Sequence, residues 1–228
     1  MKTVLITGGS EGLGYSIAKR LSNSCKVVIL SPDKDRLEEV SEELKCSYKV
    51  CDVSGWGQVN STVAEISSEN ESLDVLINNA GVYAVGELDE TPADKIKRVI
   101  EVNSLGPIYM SKAVIPFMKK QQSGKIINII SQSGLYHAPQ KSVYRASKWA
   151  LTGFTKCLQP ELSKYGISVT GIYPGLMKTS FVRNEDKERS LDDALDPDEV
   201  SKTIEFVMLA DGKIVFPEIG IKNLDNTY

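Results

Sequence analysis

The chain has 228 residues, 41% of them hydrophobic and 25% charged, which is an ordinary composition for one soluble globular domain with a substantial core. Its net charge of −3, its pI near 5.4 and the lack of a basic stripe argue against nucleic acid as a partner. The apolar runs are too short for a bilayer, the N-terminus enters a strand at once, and the four cysteines lack C-x-x-C spacing, so we expect a cytoplasmic protein with no membrane partner and no metal.

Short β-branched runs alternate with longer segments of helical period along the chain. Most of the runs are almost continuously apolar, which is typical of parallel strands buried on both faces. The predicted strands are 2–7, 26–31, 47–52, 73–79, 124–131, 167–173 and 213–221, and the predicted helices are 12–23, 33–45, 55–70, 92–121, 143–165 and 197–210. This alternation predicts the α/β class, with a single doubly wound domain over 1–228 and helices on both faces of a parallel sheet. Ligands bind such sheets at the carboxyl ends of the strands.

One charged segment, 175–196, has no clear period and directly follows the sixth predicted strand. It is longer than most connections in a compact domain. Its position after the carboxyl end of a strand favours a substrate lid over a surface excursion.

The segment Thr7–Gly14, TGGSEGLG, connects the first predicted strand to the first helix. Glycines there let backbone N–H groups approach a pyrophosphate, which then rests at the positive end of the helix. The spacing Gly8-x-x-x-Gly12-x-Gly14 departs from G-x-G-x-x-G, so a plain glycine-rich turn is the alternative. The order of strand, glycine loop and helix favours nucleotide binding.

The segment YRASK places Tyr144 and Lys148 one helical turn apart, on the same face of a predicted helix. An ammonium beside a phenol stabilises the phenolate and lowers the pKa of the phenol, which makes it a usable proton donor near neutral pH. Taken alone, a Tyr-x-x-x-Lys pair often occurs by chance on an amphipathic helix. Ser131 ends the fifth predicted strand, and Asn103 lies in the long fourth helix, where an amide is usually solvated or bonded to the backbone.

The glycine loop, NNAG (78–81), Asn103, Ser131, YRASK and YPG (173–175) occur in the order and spacing of the short-chain dehydrogenase/reductase family, and the chain resembles its single-domain form over nearly its whole length. The resemblance implies a Rossmann domain whose seven parallel strands lie in the order 3-2-1-4-5-6-7. It also implies an NAD(P)-dependent oxidoreductase that transfers a hydride between nicotinamide and a carbonyl or secondary alcohol.

The catalytic roles follow from the same resemblance. Tyr144 would be the general acid/base, and Lys148 would lower its pKa and bind the nicotinamide ribose. Ser131 would hold the carbonyl oxygen, and Asn103 would support a water-linked proton path to Lys148. Two convergent donors at that oxygen would stabilise the transition state more than the ground state.

The residues that the resemblance assigns to the cofactor lie at the predicted strand ends. They are Thr7, Gly8, Ser10, Glu11, Gly12, Leu13, Gly14, Asp52, Val53, Asn79, Ala80, Gly81, Tyr144, Lys148, Pro174, Gly175 and Thr179, with Ser31, Asp33 and Lys34 at the end that chooses between NAD and NADP. Ser31 stands where an acid would hold the ribose diol of NAD, whereas Pro32 and Glu11 disfavour the 2′-phosphate of NADP. Ser31 together with Lys34 slightly favours NADP as the cofactor, and NAD is the alternative.

Weak candidates for the substrate side are Tyr83, Ser133, Tyr136, His137 and Phe181. Simple packing is the alternative for the aromatic residues, and an incidental loop position is the alternative for His137. The residues do not identify the small-molecule substrate.

Two other functions remain as alternatives. A regulatory protein that senses NAD(P) without turnover would not need the four catalytic candidates together, and an epimerase or dehydratase of the extended branch of the family would need a larger C-terminal domain. The resemblance and the two long helices, 92–121 and 143–165, predict a homotetramer or homodimer.

Overall fold

A computed structural model describes residues 1–188 and 190–224 of the chain and contains a seven-stranded parallel sheet in the order 3-2-1-4-5-6-7. The strands are β1 Thr3–Thr7, β2 Lys26–Ser31, β3 Ser47–Val50, β4 Val75–Asn78, β5 Gly124–Ile129, β6 Ile167–Pro174 and β7 Glu218–Ile221. The predicted α/β Rossmann architecture and strand order are therefore confirmed. The order reverses direction between β1 and β4, and such a switch point leaves a crevice at the carboxyl ends of the strands.

Helices cover both faces of the sheet. They are α1 Gly12–Leu21, α2 Lys34–Leu44, α3 Trp56–Glu69, α4 Ala93–Ile100, α5 Gly106–Gln121, α6 Ser142–Ser163, α7 Ser180–Arg183 and α8 Pro197–Leu209. Along β1, Val4 and Ile6 pack into the layer with α1, α2 and α8, while Leu5 packs into the layer with α3, α5 and α6. The alternation follows from the two-residue period of a strand and explains why the central strands are apolar on both faces.

The predicted helix over 92–121 is interrupted by a π-helical turn, Glu101–Leu105, between α4 and α5. Pro107 follows this turn, and its ring nitrogen cannot donate the α-helical hydrogen bond to the carbonyl of Asn103. Widening the helix by one residue accommodates the missing bond. Such π-turns are frequent at functional sites, and this one carries the Asn103 candidate.

Only β2 keeps its predicted range, and the other six strands shift at one end or at both. β7 begins at Glu218 rather than at 213, because Pro217 has no N–H to donate to a ladder. β3 ends at Val50, and Asp52 then accepts a hydrogen bond from the Ser54 N–H at 3.0 Å in a turn. β5 ends at Ile129, so the predicted end at 131 was wrong and that position belongs to the following loop.

Candidate active site

A cleft of about 730 Å³ runs along the carboxyl ends of the strands. Its walls come mainly from the loops after β1, β2, β3, β4, β5 and β6, from the first turns of α6, and from α7. Most of the sequence-derived candidates line it, namely Gly8, Ser10, Glu11, Gly12, Leu13, Ser31, Asp33, Asp52, Val53, Asn79, Ala80, Gly81, Tyr83, Ser131, Ser133, Tyr136, His137, Tyr144, Lys148, Pro174, Gly175, Thr179 and Phe181. Thr7, Gly14, Lys34 and Asn103 are not among the lining residues.

The glycine loop between β1 and α1 is shaped by positions that exclude a side chain. Gly8 and Gly12 have φ of +64° and +53°, a region that glycine adopts readily. A Cβ on Gly14 would collide with the carbonyl oxygen of Gly8, so this glycine lets α1 start close to the strand. Glu11 stands at the N-cap without capping the helix, and its carboxylate instead accepts a hydrogen bond from the Ser180 hydroxyl at 2.9 Å. The first N–H groups of α1 therefore lack a side-chain cap from Glu11, which suits an anion.

Thr7 supports the cleft from behind it. Its hydroxyl oxygen accepts hydrogen bonds from the N–H groups of Asn79 and Ala80, both at 3.0 Å. The Asn79 side-chain amide donates back to the carbonyls of Thr7 and Gly8, also at 3.0 Å. These bonds join the ends of β1 and β4 and hold the NNAG turn against the glycine loop.

The end of β2 differs from the expectation in one respect. Asp33 caps α2 by accepting from the Arg36 N–H at 3.1 Å, which makes Lys34 the first helical residue. The Lys34 ammonium lies 3.4 Å from Glu38 and does not line the cleft, whereas the Arg36 side chain does. Sequence reasoning missed Arg36. The sequence does place Arg36 about one helical turn after the Asp33 cap, and this spacing could have identified it.

Hydrogen bonds hold Asp52 at the end of the cleft where we expect the adenine of a dinucleotide to bind. Its carboxylate accepts from the Ser54 hydroxyl at 2.8 Å and from the Arg98 guanidinium at 2.9 Å. Burial raises the pKa of Asp52, but the Ser54 backbone and hydroxyl and Arg98 outweigh burial and keep the pKa below its ordinary value. Sequence reasoning also missed Arg98, which lines the cleft from α4.

Tyr144, Ser131 and Lys148 meet at the centre of the cleft. Tyr144 and Lys148, on consecutive turns of α6, are 6% and 4% exposed. Ser131 lines the cleft beside Tyr144, and the Lys148 ammonium donates to the carbonyl of Ile129 at 3.1 Å. Ser131 has φ of +138°, a conformation that costs a non-glycine residue free energy and is characteristic of functional sites.

Burial shifts the pKa values of both Tyr144 and Lys148. Burial raises the pKa of Tyr144 above its ordinary value, and the Ser131 hydroxyl lowers it by less. The Lys148 ammonium lies 5.8 Å from the centre of the Tyr144 ring, and burial lowers its own pKa to about 8. Desolvation of the phenol therefore dominates the pKa of Tyr144 in this structure, and the lowering effect of Lys148 stays a prediction.

Asn103 lies behind the catalytic group. Its side chain is fully buried and exchanges hydrogen bonds with the N–H and the carbonyl of Val82, both at 2.8 Å. The amide also donates to the Ser147 hydroxyl at 3.1 Å, which in turn donates to the carbonyl of Tyr144 at 2.6 Å. Asn103 thus connects the loop after β4 to the turn of α6 that carries Tyr144.

Two aromatic rings lie close to the Tyr144 ring. The Tyr83 ring lies 4.9 Å from the Tyr144 ring in an edge-to-face arrangement, and the Phe181 ring lies 6.2 Å from it. Phe181 belongs to α7, inside the segment proposed as a lid. Ser133 donates its N–H to the Ser131 hydroxyl oxygen at 3.1 Å, and His137 is exposed at the rim.

Neither a membrane-spanning helix nor a metal-binding cluster occurs in the parts of the chain that the structure describes. No helix there is long and apolar enough to span a bilayer. Within the same residues, histidine, cysteine and carboxylate side chains do not gather in a group of three or more that would bind a metal ion.

The fold and the site together define a Rossmann-type oxidoreductase, and comparison with known proteins identifies the family. Residues 2–190 match the family model described as short chain dehydrogenase. An uncharacterized oxidoreductase of Staphylococcus saprophyticus is 31% identical over 228 residues, covering 97% of each chain. The D-beta-hydroxybutyrate dehydrogenase of Cupriavidus necator is 26% identical, covering 95% of this chain and 86% of that one. A closed-form serine dehydrogenase complexed with NADP+ superposes with a TM-score of 0.94 at 26% identity, covering 99% and 96% of the two chains. The chain belongs to the short-chain dehydrogenase/reductase family.

Proposed function

We propose that the protein is an NAD(P)-dependent oxidoreductase that interconverts a small carbonyl compound and its secondary alcohol. The observation that carries this proposal is that two hydroxyl donors, Ser131 and Tyr144, line the same cleft as a glycine loop and the buried Lys148. Two such donors suit an oxygen on which negative charge develops.

The residues at the other end of the cleft fit a dinucleotide. A Cβ on Gly12 would meet nothing closer than the Thr179 side chain at 3.5 Å, so the cleft is open where the backbone of the glycine loop would approach a pyrophosphate. A solved relative, the serine dehydrogenase, binds NADP+ in the same fold. Bound NAD(P)H supplies the hydride.

The protein residues supply the proton and hold the substrate. Tyr144 donates the proton to the carbonyl oxygen, and its raised pKa keeps it protonated before reduction. Ser131 donates a hydrogen bond to the same oxygen. Lys148 is charged below about pH 8 and stabilises the phenolate that remains. Asn103 positions α6 through Ser147 and supports the proton path to Lys148.

We favour NADP over NAD, by a modest margin. Ser31 leaves the ribose end of the cleft without the acid that holds the diol of NAD. Arg36 lines the cleft at that end. Its guanidinium lies 2.6 Å from Glu39, so this exposed ion pair must break before Arg36 can bind the 2′-phosphate of NADP. Glu11 and Asp33 limit the preference because they are acidic residues on the same walls.

The segment 175–196 is proposed to act as a lid. Ser180 and Phe181 connect it to both ends of the cleft, the first through Glu11 and the second through the rings near Tyr144. Opening it would break the Ser180–Glu11 hydrogen bond, the Lys95–Glu185 ion pair and the ring contacts of Phe181, and would admit substrate and release product.

A screen of carbonyl compounds for oxidation of NADPH and NADH by the purified protein tests the proposal. We expect at least one compound to be reduced, and Tyr144→Phe to remove the activity while the variant still binds nucleotide. Nucleotide binding without turnover of any carbonyl compound would instead support the sensor alternative.

A further inference from the structure

The nucleotide end of the cleft has apolar walls. Four residues of the buried core line it there, one from β2, two from the chain after β3 and one from the π-turn, namely Leu30, Cys51, Val53 and Val102. A purine base has two apolar faces that such walls would cover. Apolar walls alone discriminate weakly between bases of the same shape, so selectivity must come from polar groups beside them.

Asp52 and Arg98 lie beside these walls and can be reached from the cleft. Asp52 lies between Cys51 and Val53 in the chain. Arg98, in α4, precedes Val102 by one helical turn. The Asp52 and Arg98 side chains are 33% and 39% exposed, and both line the cleft. A ligand in the cleft can therefore contact either of them.

Asp52, Ser54 and Arg98 form a closed ring of hydrogen bonds. Oδ1 of Asp52 accepts from the Ser54 N–H at 3.0 Å and from the Ser54 hydroxyl at 2.8 Å. Oδ2 accepts from Nη1 of Arg98 at 2.9 Å, and the same nitrogen donates to the Ser54 hydroxyl oxygen at 2.8 Å. Because every member of the ring is bonded to the other two, the orientation of the carboxylate is fixed.

One acceptor position of Asp52 remains for a ligand. Each oxygen of an ionised carboxylate can accept two hydrogen bonds. Among the described residues, Oδ1 accepts two bonds from Ser54, whereas Oδ2 accepts one bond from Arg98. Burial raises the pKa of Asp52, but the bonds from Ser54 and Arg98 outweigh burial and keep the carboxylate ionised at neutral pH. A ligand group that donates to Oδ2 is favoured, and a group that presents a lone pair to it is repelled.

We infer that Arg98 is a positioning residue that makes the nucleotide site selective for adenine. Arg98 holds Asp52 so that Oδ2 accepts a hydrogen bond from the 6-amino group of the base. Hypoxanthine has the same rings but carries an oxygen in place of this amino group, and that oxygen would face the carboxylate. The inference rests on the proposed function, because it requires NAD(P) to bind in this cleft.

Two other roles of Arg98 are the alternatives. The guanidinium could attract the phosphates of the nucleotide, or it could stack on the face of the base. Both roles would favour adenine and hypoxanthine equally, which distinguishes them from positioning of Asp52.

A pair of cofactors that differ at one group tests the inference. The cofactor that the protein binds more tightly, NADPH or NADH, is compared with its hypoxanthine analogue by fluorescence titration. The proteins are the wild type, Arg98→Met, Arg98→Lys and Asp52→Asn. Lys97→Met is the control, because it removes a positive charge from the neighbouring position of α4, outside the cleft lining.

We expect the wild type to bind the adenine cofactor about tenfold to a hundredfold more tightly than the analogue, as is typical of a charge-assisted hydrogen bond. Arg98→Met and Asp52→Asn should each raise the Kd of the adenine cofactor about tenfold and leave the Kd of the analogue nearly constant. Arg98→Lys should keep part of the preference, because an ammonium can donate one bond to Asp52. Lys97→Met should bind both cofactors as the wild type does.

Two results would overturn the inference. The first is equal binding of the two cofactors by the wild type. The second is equal weakening of both cofactors in Arg98→Met, which would show that Arg98 acts on the phosphates or on the face of the base.

A double variant tests whether Arg98 acts through Asp52. Once Asp52→Asn has removed the ionised carboxylate, adding Arg98→Met should raise the Kd of the adenine cofactor little further. A loss of about a hundredfold in the double variant, the product of the two single losses, would contradict the positioning role.

Binding and turnover together separate this inference from the proposed function. If the adenine cofactor binds with the expected preference but no carbonyl compound is reduced, the proposed reaction fails and the role of Arg98 is supported. If both cofactors bind equally and both support reduction, the role of Arg98 is refuted and the proposed reaction is supported. If neither cofactor binds, both proposals fail.

Discussion

Replacing the buried Lys148 with methionine should stabilise the protein. The lysine is 4% exposed, and its ammonium donates to the carbonyl of Ile129 at 3.1 Å. Within the described residues no carboxylate forms an ion pair with it, and burial lowers its pKa from the ordinary 10.5 to about 8. A charge kept in such a place serves function at the expense of stability.

The magnitude follows from the two pKa values. Each pH unit between them corresponds to ~1.4 kcal/mol, so burying the ammonium of Lys148 costs about 3 kcal/mol. Methionine has a similar length and no charge, but it removes the donor to Ile129, which costs about 1–2 kcal/mol. We expect the free energy of unfolding to rise by about 1–2 kcal/mol, or the melting temperature by roughly 2–8 °C.

The effect should depend on pH with a definite sign. Between pH 8 and 10.5 the unfolded chain keeps the proton on Lys148 while the folded chain loses it, so rising pH favours the folded state of the wild type. The advantage of Lys148→Met is therefore complete below about pH 8 and shrinks above it.

Urea unfolding without added nucleotide, from about pH 7 to about 9.5, measures this effect. Lys97→Met is the control, because the Lys97 side chain is 72% exposed, and its stability should stay within about 0.5 kcal/mol of the wild type. A Lys148→Met variant that is no more stable than the wild type at neutral pH, or whose advantage does not shrink with rising pH, would refute the reasoning.

Three further predictions concern the cofactor, the substrate oxygen and the assembly. Fluorescence titration should show NADPH binding modestly tighter than NADH, with the difference lost in Arg36→Ala and kept in Lys34→Ala; a tenfold preference for NADH would indicate that Asp33 faces the ribose. Ser131→Ala should lower kcat by about a hundredfold and leave the nucleotide Kd nearly unchanged, while Ser133→Ala should do little, and equal losses in both variants would contradict the role of Ser131. Light scattering at micromolar concentration should show a homotetramer or homodimer, and a monomer of 25.0 kDa would contradict this assembly.

The fold could be predicted because its signals are redundant. The apolar strands β1, β4 and β5 each occupy the centre of a buried sheet, and Val4, Leu5 and Ile6 face two different core layers without changing the pattern. An error of one or two residues at a strand end does not alter the order of strands. The candidate residues also come to one cleft, because the carboxyl ends of parallel strands share one edge of the sheet.

The details that sequence reasoning missed depend on single contacts. Whether Lys34 or Arg36 faces the cleft is decided by the Asp33 cap, which sets where α2 begins. The direction of the Tyr144 pKa depends on how deeply Tyr83 and Phe181 bury the phenol, and these residues come from loops far away in the sequence.

Backbone conformations were also missed where neighbouring residues impose them. The π-turn at Asn103 is explained by Pro107, and the φ of +138° at Ser131 lies in the loop between β5 and α6. Neither changes the hydrophobic pattern from which the helices and strands were predicted.

The rate of hydride transfer in Tyr144→Phe tests the central claim most directly. Phenylalanine keeps the ring that packs against Tyr83 and removes only the phenol hydroxyl, so the fold and the nucleotide Kd should be preserved. Because general acid catalysis typically contributes ~10²–10⁴-fold, we expect single-turnover hydride transfer, measured by stopped flow with a carbonyl compound from the screen, to slow by at least that factor. A variant that keeps more than about a tenth of the wild-type rate, far above what loss of a general acid allows, would contradict the role proposed for Tyr144.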